Sequence, residues 1–459
     1  VEGLWGILPC TFPSLLRNGL SLFTMSLCPL KTAPMAGRVA SATRQPSPLF
    51  TDISGFYKRV CPLAFKSTSR PSRSFAVAPA CVAAPVELKT GKPRREEVIT
   101  GSPDNNITDY IYEKMGVDLH RQPNHPIATI KQAIYDYFDA RNPGMFEKFD
   151  DRFPIVSTRA NFDEVLVPAD HISRSPNDTY YVDTNTVLRC HTSAHQAETL
   201  RAGHAAFLVT GDVYRRDSID ATHYPVFHQM EGVRVFSEAD WTAAGLSPTQ
   251  LAERDLKDAL EGLAKHLFGD VECRWIDAYF PFTDPSFELE IFFKGKWLEV
   301  LGCGVMEQRI LDDNFKPGHK AWAFGLGLER LAMVLFDVPD IRLFWSNDDR
   351  FLKQFRAGDL TARFKPYSKY PACYKDMAFW VSPEFSENNL CELVRSIGGD
   401  LVEEVTCIDT FTNKKTGRTS NCYRIVYRSM ERSLTDDEIN ALQDQVRKEV
   451  ADVLKVELR

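Results

Sequence analysis

Arginines, a glutamine–glutamate pair and two phenylalanines carry the chemistry that this sequence suggests first. Residues 211–232, GDVYRRDSIDATHYPVFHQMEG, set Arg215 at the end of one expected strand, Phe207 to Arg215. Gln229 and Glu231 lie on the next, Val226 to Phe236, across a polar loop. Arginine suits a phosphate because its planar fork pairs with two oxygens and never loses its charge. Glutamate and glutamine on the returning strand can read an amine or an adenine edge. About a hundred residues on, WAFGLGLER, 322–330, turns through glycines into an expected helix. Glycine lets a backbone approach a ligand closely, and Arg330 falls in the first helical turn, placed to meet a phosphate. The segment YFPFTDP puts Phe280 and Phe282 two apart on a strand, facing one side. Two such rings suit an aromatic ligand, since aromatic pairs gain about 0.5–1.5 kcal/mol beyond burial. The pattern GxxxxGK[ST] is absent, so this is no Walker loop.

In combination these segments resemble the class II aminoacyl-tRNA synthetases, in the phenylalanyl-tRNA synthetase version. Residues 211–232 are similar to motif 2 and GLGLER to motif 3. The resemblance implies that Arg215 holds the ATP α-phosphate and that Thr222, His223 and Tyr224 touch ATP or the tRNA acceptor end. It implies that Gln229 and Glu231 grip the phenylalanine ammonium, that Arg330 binds the γ-phosphate, and that Glu329 orients Arg330. The run RCHTSAHQ, 189–196, resembles the family's HTS-x-x-Q element. By that match His191 and Ser193 contact the amino-acid carboxylate and Gln196 lies nearby, while His195 reads as a structural histidine. The FPF match implies that Phe280 and Phe282 line the ring pocket, with Ala323, Phe324 and Gly325 as its wall. Ala323 leaves room near the para position, so incomplete rejection of tyrosine is expected. Glu299, in WLEVLGCG, matches a family glutamate near ATP and is assigned to Mg²⁺, which needs few protein carboxylates beside phosphate oxygens. Cys303, in the same run, reads as packing. The implied activity is ATP-dependent activation of phenylalanine and its transfer to phenylalanine tRNA, through the terminal 2′-hydroxyl. A regulator that had lost catalysis is expected to lack Arg215, Glu231 or Arg330, and all three are present. The Phe280/Phe282 pair argues against a class II ligase for another substrate.

Positioning these groups requires an α+β fold. Apolar residues at helical spacing, Ile127, Ile130, Ile134, Tyr137 and Phe138, predict a helix stopped by Asn142-Pro143-Gly144. A second amphipathic helix is expected over Leu251 to Phe268, ended near Gly269. Trp275 to Phe282, Phe287 to Phe293 and Trp297 to Leu301 read as strands, with Lys294-Gly295-Lys296 as a hairpin loop. The order predicts a mostly antiparallel sheet flanked by helices over 107–360, which the resemblance implies is the class II catalytic domain. Beyond it, 374–381, 386–397, 401–411, 421–428, 435–454 and 455–458 alternate strand, helix, strand, strand, helix, strand. That order is the ferredoxin-like βαββαβ arrangement and predicts a separate small domain over 361–459, which the family resemblance implies is anticodon-binding. Its last helix opens with Thr435 as N-cap and Glu438 three residues on, a capping box. The motif 1 resemblance is weaker, and the single-chain plan resembles the organellar form, implying a monomer.

Of the 459 residues, 44% are hydrophobic and 25% charged, which suits a globular protein, and no apolar run is long enough to span a membrane. The eleven cysteines form no CxxC pair, and neither a disulfide framework nor a zinc site is indicated. Residues 1–86 hold nine Lys/Arg and only two acids, Glu2 and Asp52. Residues 1–85, rich in Ser, Pro, Arg and Ala, predict a transit peptide for the mitochondrial matrix, the chloroplast stroma or both, followed by a linker over 86–106. The remainder is acidic, so RNA must be met by local positive charge. Lys414, Lys415 and Arg418 on one loop, with Arg424 and Arg428 on one strand face, are the candidates for tRNA. Tyr423, Ile425 and Tyr427 on the opposite face are the candidate core.

Overall fold

The computed structural model describes residues 91–366, 370–429 and 432–459. The predicted transit peptide lies outside them. The larger, N-terminal portion is built on a seven-stranded sheet, formed by β1 (Glu147–Phe149), β5 (Ala206–Tyr214), β6 (Val226–Phe236), β7 (Glu272–Phe280), β8 (Thr283–Phe293), β9 (Lys296–Met306) and β10 (Lys320–Gly327). The spatial order is β1-β5-β6-β10-β9-β8-β7. Only β1 and β5 run parallel; the other neighbours are antiparallel. A small sheet of β2 (Ile155–Ser157), β3 (Tyr181–Asp183) and β4 (Thr186–Leu188) stands beside it. β4 leads straight into the HTS-x-x-Q segment.

The near-continuous apolar run AFLVTGDVY makes β5 an interior strand, and all its residues are buried. Helix Pro126–Arg141 starts at His125, whose ring accepts the Ile127 N–H, with Pro126 in the first turn, where its missing N–H costs nothing. Its stripe of Ile127, Ile130, Ile134 and Phe138 is fully buried, each chain contributing about 1.5–3 kcal/mol. Helix Pro248–Phe268 opens on a capping box from Ser247 and Gln250 and stops at Gly269, whose φ is +82°. The predicted hairpin loop is present: Lys294 and Gly295 both take positive φ, as a two-residue β-turn of this hand demands. The strands sharing it run longer than predicted: β8 begins four residues earlier in the polar Thr283–Ser286, and β9 continues through the buried Gly302–Met306, both still paired.

Two cores lie on the two faces of this sheet. The larger is capped by helices Pro126–Arg141, Pro248–Phe268 and Leu328–Phe336; there Phe138 stacks on Phe324 with ring centroids 5.7 Å apart. The smaller gathers Phe162, Phe280, Phe282, Ile310, Ala321 and Ala323.

The C-terminal sheet holds β11 (Cys373–Trp380), β12 (Val402–Thr412), β13 (Thr419–Tyr427) and β14 (Glu457–Leu458), in the order β12-β13-β11-β14. Helices Glu387–Gly398 and Asp436–Leu454 complete the ferredoxin-like arrangement. Tyr423, Ile425 and Tyr427 point into its core as expected. The capping box is only half formed. Thr435 accepts the Glu438 N–H at 3.4 Å, but the Glu438 carboxylate pairs with Arg432 instead of turning back.

Candidate active site

Side chains from β6, β9, β10 and the helix after β10 meet in one cleft. Arg215 and Arg330 both line it, with His223, Gln229 and Glu299 between them. A smaller cavity adjoins it, bounded by Ser193, Gln196, Glu231, Phe282 and Ala323, and the strand backbone at Gly302 and Gly325 borders both. Register explains the join: Gly325 sits between Glu231 on β6 and Gly302 on β9.

In the smaller cavity Glu231 is 1% exposed. Burial pushes its carboxyl up to about 7, against hydrogen bonds from Ser193 and Gln196. One oxygen each of Glu231, Gln196 and Gln229 is buried with no hydrogen-bond partner. Such atoms cost free energy in the empty fold and mark where a polar ligand is expected. His191 is also buried, and burial together with the Arg215 charge holds its imidazole down to about 3. It therefore stays neutral and offers an N–H without a counter-charge. His195 is different: it is fixed between Arg189 at 2.9 Å and Glu198 at 2.8 Å, a structural role. Phe280 and Phe282 stack with centroids 5.9 Å apart and planes 10° apart. Phe282 faces the cavity beside Ala323. The ring of Phe324, by contrast, lies on the far side of β10 in the larger core, in the space left by Gly232, where a Cβ would meet it at 2.2 Å. Only its backbone borders the cavity.

In the larger cleft the half-buried Arg215 donates from Nε to the Cys190 carbonyl at 2.8 Å and lies over the Phe227 ring. Its side chain forms part of the cleft wall. Thr222 and His223 are exposed on the loop. Burial works against protonation of His223, yet its bond to Asp220 and the nearby Asp217 raise it to about 9. Tyr224 walls the cleft with its ring, but its hydroxyl is directed away, to Tyr110 at 2.8 Å and Asp400 at 2.7 Å. Glu329 likewise has its carboxylate turned from the cleft. One oxygen accepts the His228 backbone N–H at 2.8 Å and the other meets His228 Nδ1 at 2.6 Å. His228 gave no signal in the sequence beyond standing next to Gln229. Burial pushes the Cys303 thiol up, consistent with packing.

Glu299 faces the cleft with Arg330 Nη1 at 3.5 Å. Glu290 is its partner across the strand pair, and burial with repulsion from Glu299 and Glu290 raises Glu288 to about 7. Crowded hard oxygens of this kind fit a divalent cation such as Mg²⁺. Among the described residues no His/Cys/Asp/Glu group could hold a metal ion alone, so phosphate oxygens must complete any such shell.

On the C-terminal sheet, Lys414 and Lys415 are exposed in the turn between β12 and β13. The three arginines are already engaged: Arg418 with Glu457 at 2.5 Å, Arg424 through two 2.8 Å bonds with Asp376, and Arg428 with Glu403 at 2.9 Å. Trp380 and Phe411, which sequence reasoning passed over, stand with Arg459 beside them.

Residues 113–355 match the family model for tRNA synthetases class II core domain (F), and 368–459 match the ferredoxin-fold anticodon binding domain. The chain is 67% identical over 366 residues to the chloroplastic/mitochondrial phenylalanine–tRNA ligase of Arabidopsis thaliana, covering 80% of this chain and 85% of that one. The chain belongs to the organellar phenylalanine–tRNA ligases. The mitochondrial phenylalanine–tRNA ligase of Mus musculus is 49% identical over 387 residues, with 77% and 86% covered. The α subunit of the Prochlorococcus marinus (strain CCMP1986) ligase is 35% identical over 271 residues, covering 57% of this chain and 75% of the subunit. As a member of the organellar ligases the protein activates phenylalanine with ATP and loads it onto tRNA in an organelle.

Proposed function

We propose that the smaller cavity receives phenylalanine and the larger cleft ATP, with the groups named above in fixed roles. Glu231 and Gln229 take the ammonium; neutral His191 and Ser193, with Gln196 beside them, take the carboxylate; Phe280, Phe282, Ala323 and the strand at 324–325 enclose the ring. Arg215 grips the α-phosphate and Arg330 the γ-phosphate, while Thr222, His223 and the Tyr224 ring border the nucleotide. Glu299 would hold Mg²⁺, which would neutralise phosphate charge when bound. The phenylalanine carboxylate attacks the α-phosphorus in line, pyrophosphate leaves, and Arg215 stabilises the developing charge without moving. The 2′-hydroxyl of the tRNA terminal ribose then attacks the adenylate carbonyl and AMP departs. Positioning carries both steps, and no general base is assigned. The turn at Lys414 and Lys415 meets tRNA backbone, and the protein works as a monomer.

One observation carries this reading: two guanidinium-bearing residues share a cleft whose wall continues into an aromatic cavity ending on a buried carboxylate. The test is pyrophosphate exchange with ATP, run with each of the twenty amino acids. Phenylalanine is expected to support it, and Arg330→Ala to raise the KM for ATP by about 10²-fold, the loss of a charge-assisted contact worth some 2–3 kcal/mol. Exchange driven only by a non-aromatic amino acid removes the assignment.

A further inference from the structure

The loop between β5 and β6 is held by more than the catalytic portion. Ile219, at its centre, is 6% exposed, yet it packs within the C-terminal core among residues such as Val394, Val405 and Tyr423. The Val405 N–H donates to the Ile219 carbonyl at 3.0 Å, so the loop adds a rung to the edge strand β12. Arg395 Nη2 donates to the Asp217 carbonyl at 2.8 Å, and Asn388 Nδ2 to the Arg216 carbonyl at 3.1 Å. At the far end of the loop the Tyr224 hydroxyl donates to Asp400 at 2.7 Å. Thr222 and His223 lie between these anchors, Asp217 is one of them and Arg215 immediately precedes them, all on the wall of the larger cleft.

We propose that the C-terminal domain is a positioning element for the activation step, with Ile219 as the peg by which it shapes the ATP side of the cleft. The inference rests on the reading of that cleft given above. It makes phenylalanyl-adenylate formation, which involves no tRNA, depend on the domain assigned to RNA. Fixing a polar loop costs conformational entropy, about 1–2 kcal/mol per residue. Docking Ile219 meets that cost before ATP arrives. If the peg is loosened, only a fraction of molecules present Arg215 and its neighbours correctly, and apparent ATP affinity falls by that fraction.

Pyrophosphate exchange without tRNA, using the full chain at saturating phenylalanine, tests this. Ile219→Ala is expected to raise the KM for ATP by about five- to tenfold, in line with a competent fraction of about 0.1–0.2. The dissociation constant for phenylalanine should stay unchanged, and Ile219→Leu should restore the KM. The control is Val450→Ala, a fully buried residue of the same core on the helix Asp436–Leu454. It lowers the melting temperature comparably but should leave the KM for ATP alone. An Ile219→Ala KM within twofold of wild type, or an equal rise in Val450→Ala, overturns the proposal. Absence of phenylalanine-dependent exchange in the wild type would instead overturn the underlying site assignment.

Discussion

With Glu231 in the role proposed above, phenylalanine binding should be pH-dependent in a range where a surface glutamate would be indifferent. Its carboxyl, ordinarily near 4.5, is raised to about 7 in the empty cavity by burial. Only the ionised form pairs with an ammonium, so affinity is present above that value and lost as pH falls through it. Apparent Kd scales as one plus the ratio of protonated to ionised carboxyl. It is therefore about tenfold weaker at pH 6 than at pH 8, or about 1.4 kcal/mol. Phenylalanine's own groups do not titrate in that interval. Calorimetry across pH 6–8, in buffers of different ionisation enthalpy, should find about 0.9 proton released per phenylalanine bound at pH 6 and about 0.1 at pH 8. Linkage gives a second readout. With the folded value raised above the unfolded one, Glu231's share of stability is present below about 4.5 and lost as pH rises through about 7. Protection of the fold by phenylalanine should accordingly grow between pH 6 and pH 8. Glu231→Gln should bind more weakly and lose the pH dependence. A wild-type Kd that is flat from pH 6 to 8 refutes the reasoning.

Further expectations concern the surroundings of that cavity. His228→Leu leaves the Glu329 carboxylate buried without its partner and should cost about 3–5 kcal/mol of stability. His228→Asn, whose amide N–H can replace Nδ1–H, should recover much of it; equal melting temperatures for the two variants would sink the role given to the pair. Tyrosine should support pyrophosphate exchange with kcat/KM only about 10²-fold below phenylalanine, because an apolar wall at Ala323 rejects an added hydroxyl weakly. A measured ratio above about 10⁴ would show a dedicated polar barrier to the hydroxyl. Lys414→Gln with Lys415→Gln should reduce the salt slope of tRNA binding by about 1.4–1.8, the release of two counterions. Arg424→Gln should change that slope much less, since Asp376 already neutralises the guanidinium; a full unit of change would contradict this.

Legibility in the sequence followed range. The ferredoxin-like elements were readable to within one or two residues, because alternation, caps and glycines act locally. The site motifs were readable because polar residues interrupt runs otherwise bound for a core: Gln229 and Glu231 fall within an almost wholly buried β6. What escaped were partnerships between distant segments. Glu329 looked available to orient Arg330 until His228, 101 residues away, took both its oxygens. Tyr224 looked like a nucleotide contact, and its hydroxyl partner Asp400 lies 176 residues on. Phe324 was a different failure. Trp322 and Phe324 alternate with Ala321 and Ala323 along β10, and that period of two already put the large rings on the face opposite the cavity.

A physical difference separates the substrate pocket from the proposed RNA face. In the pocket, buried oxygens of Gln196, Gln229 and Glu231 have no partner, so the fold bears a standing cost that the N–H groups of a bound ammonium relieve. On the C-terminal sheet, Arg418, Arg424 and Arg428 each hold a carboxylate already. Phosphate there must exchange with an existing partner, and the net gain shrinks by what the broken pair contributed, which is small for exposed pairs. Lys414 and Lys415 face no such exchange with a carboxylate among the described ion pairs, and so should carry more of the salt-dependent attraction than the strand arginines. The comparison of salt slopes above therefore tests whether prior pairing, rather than charge count, decides which cations meet RNA.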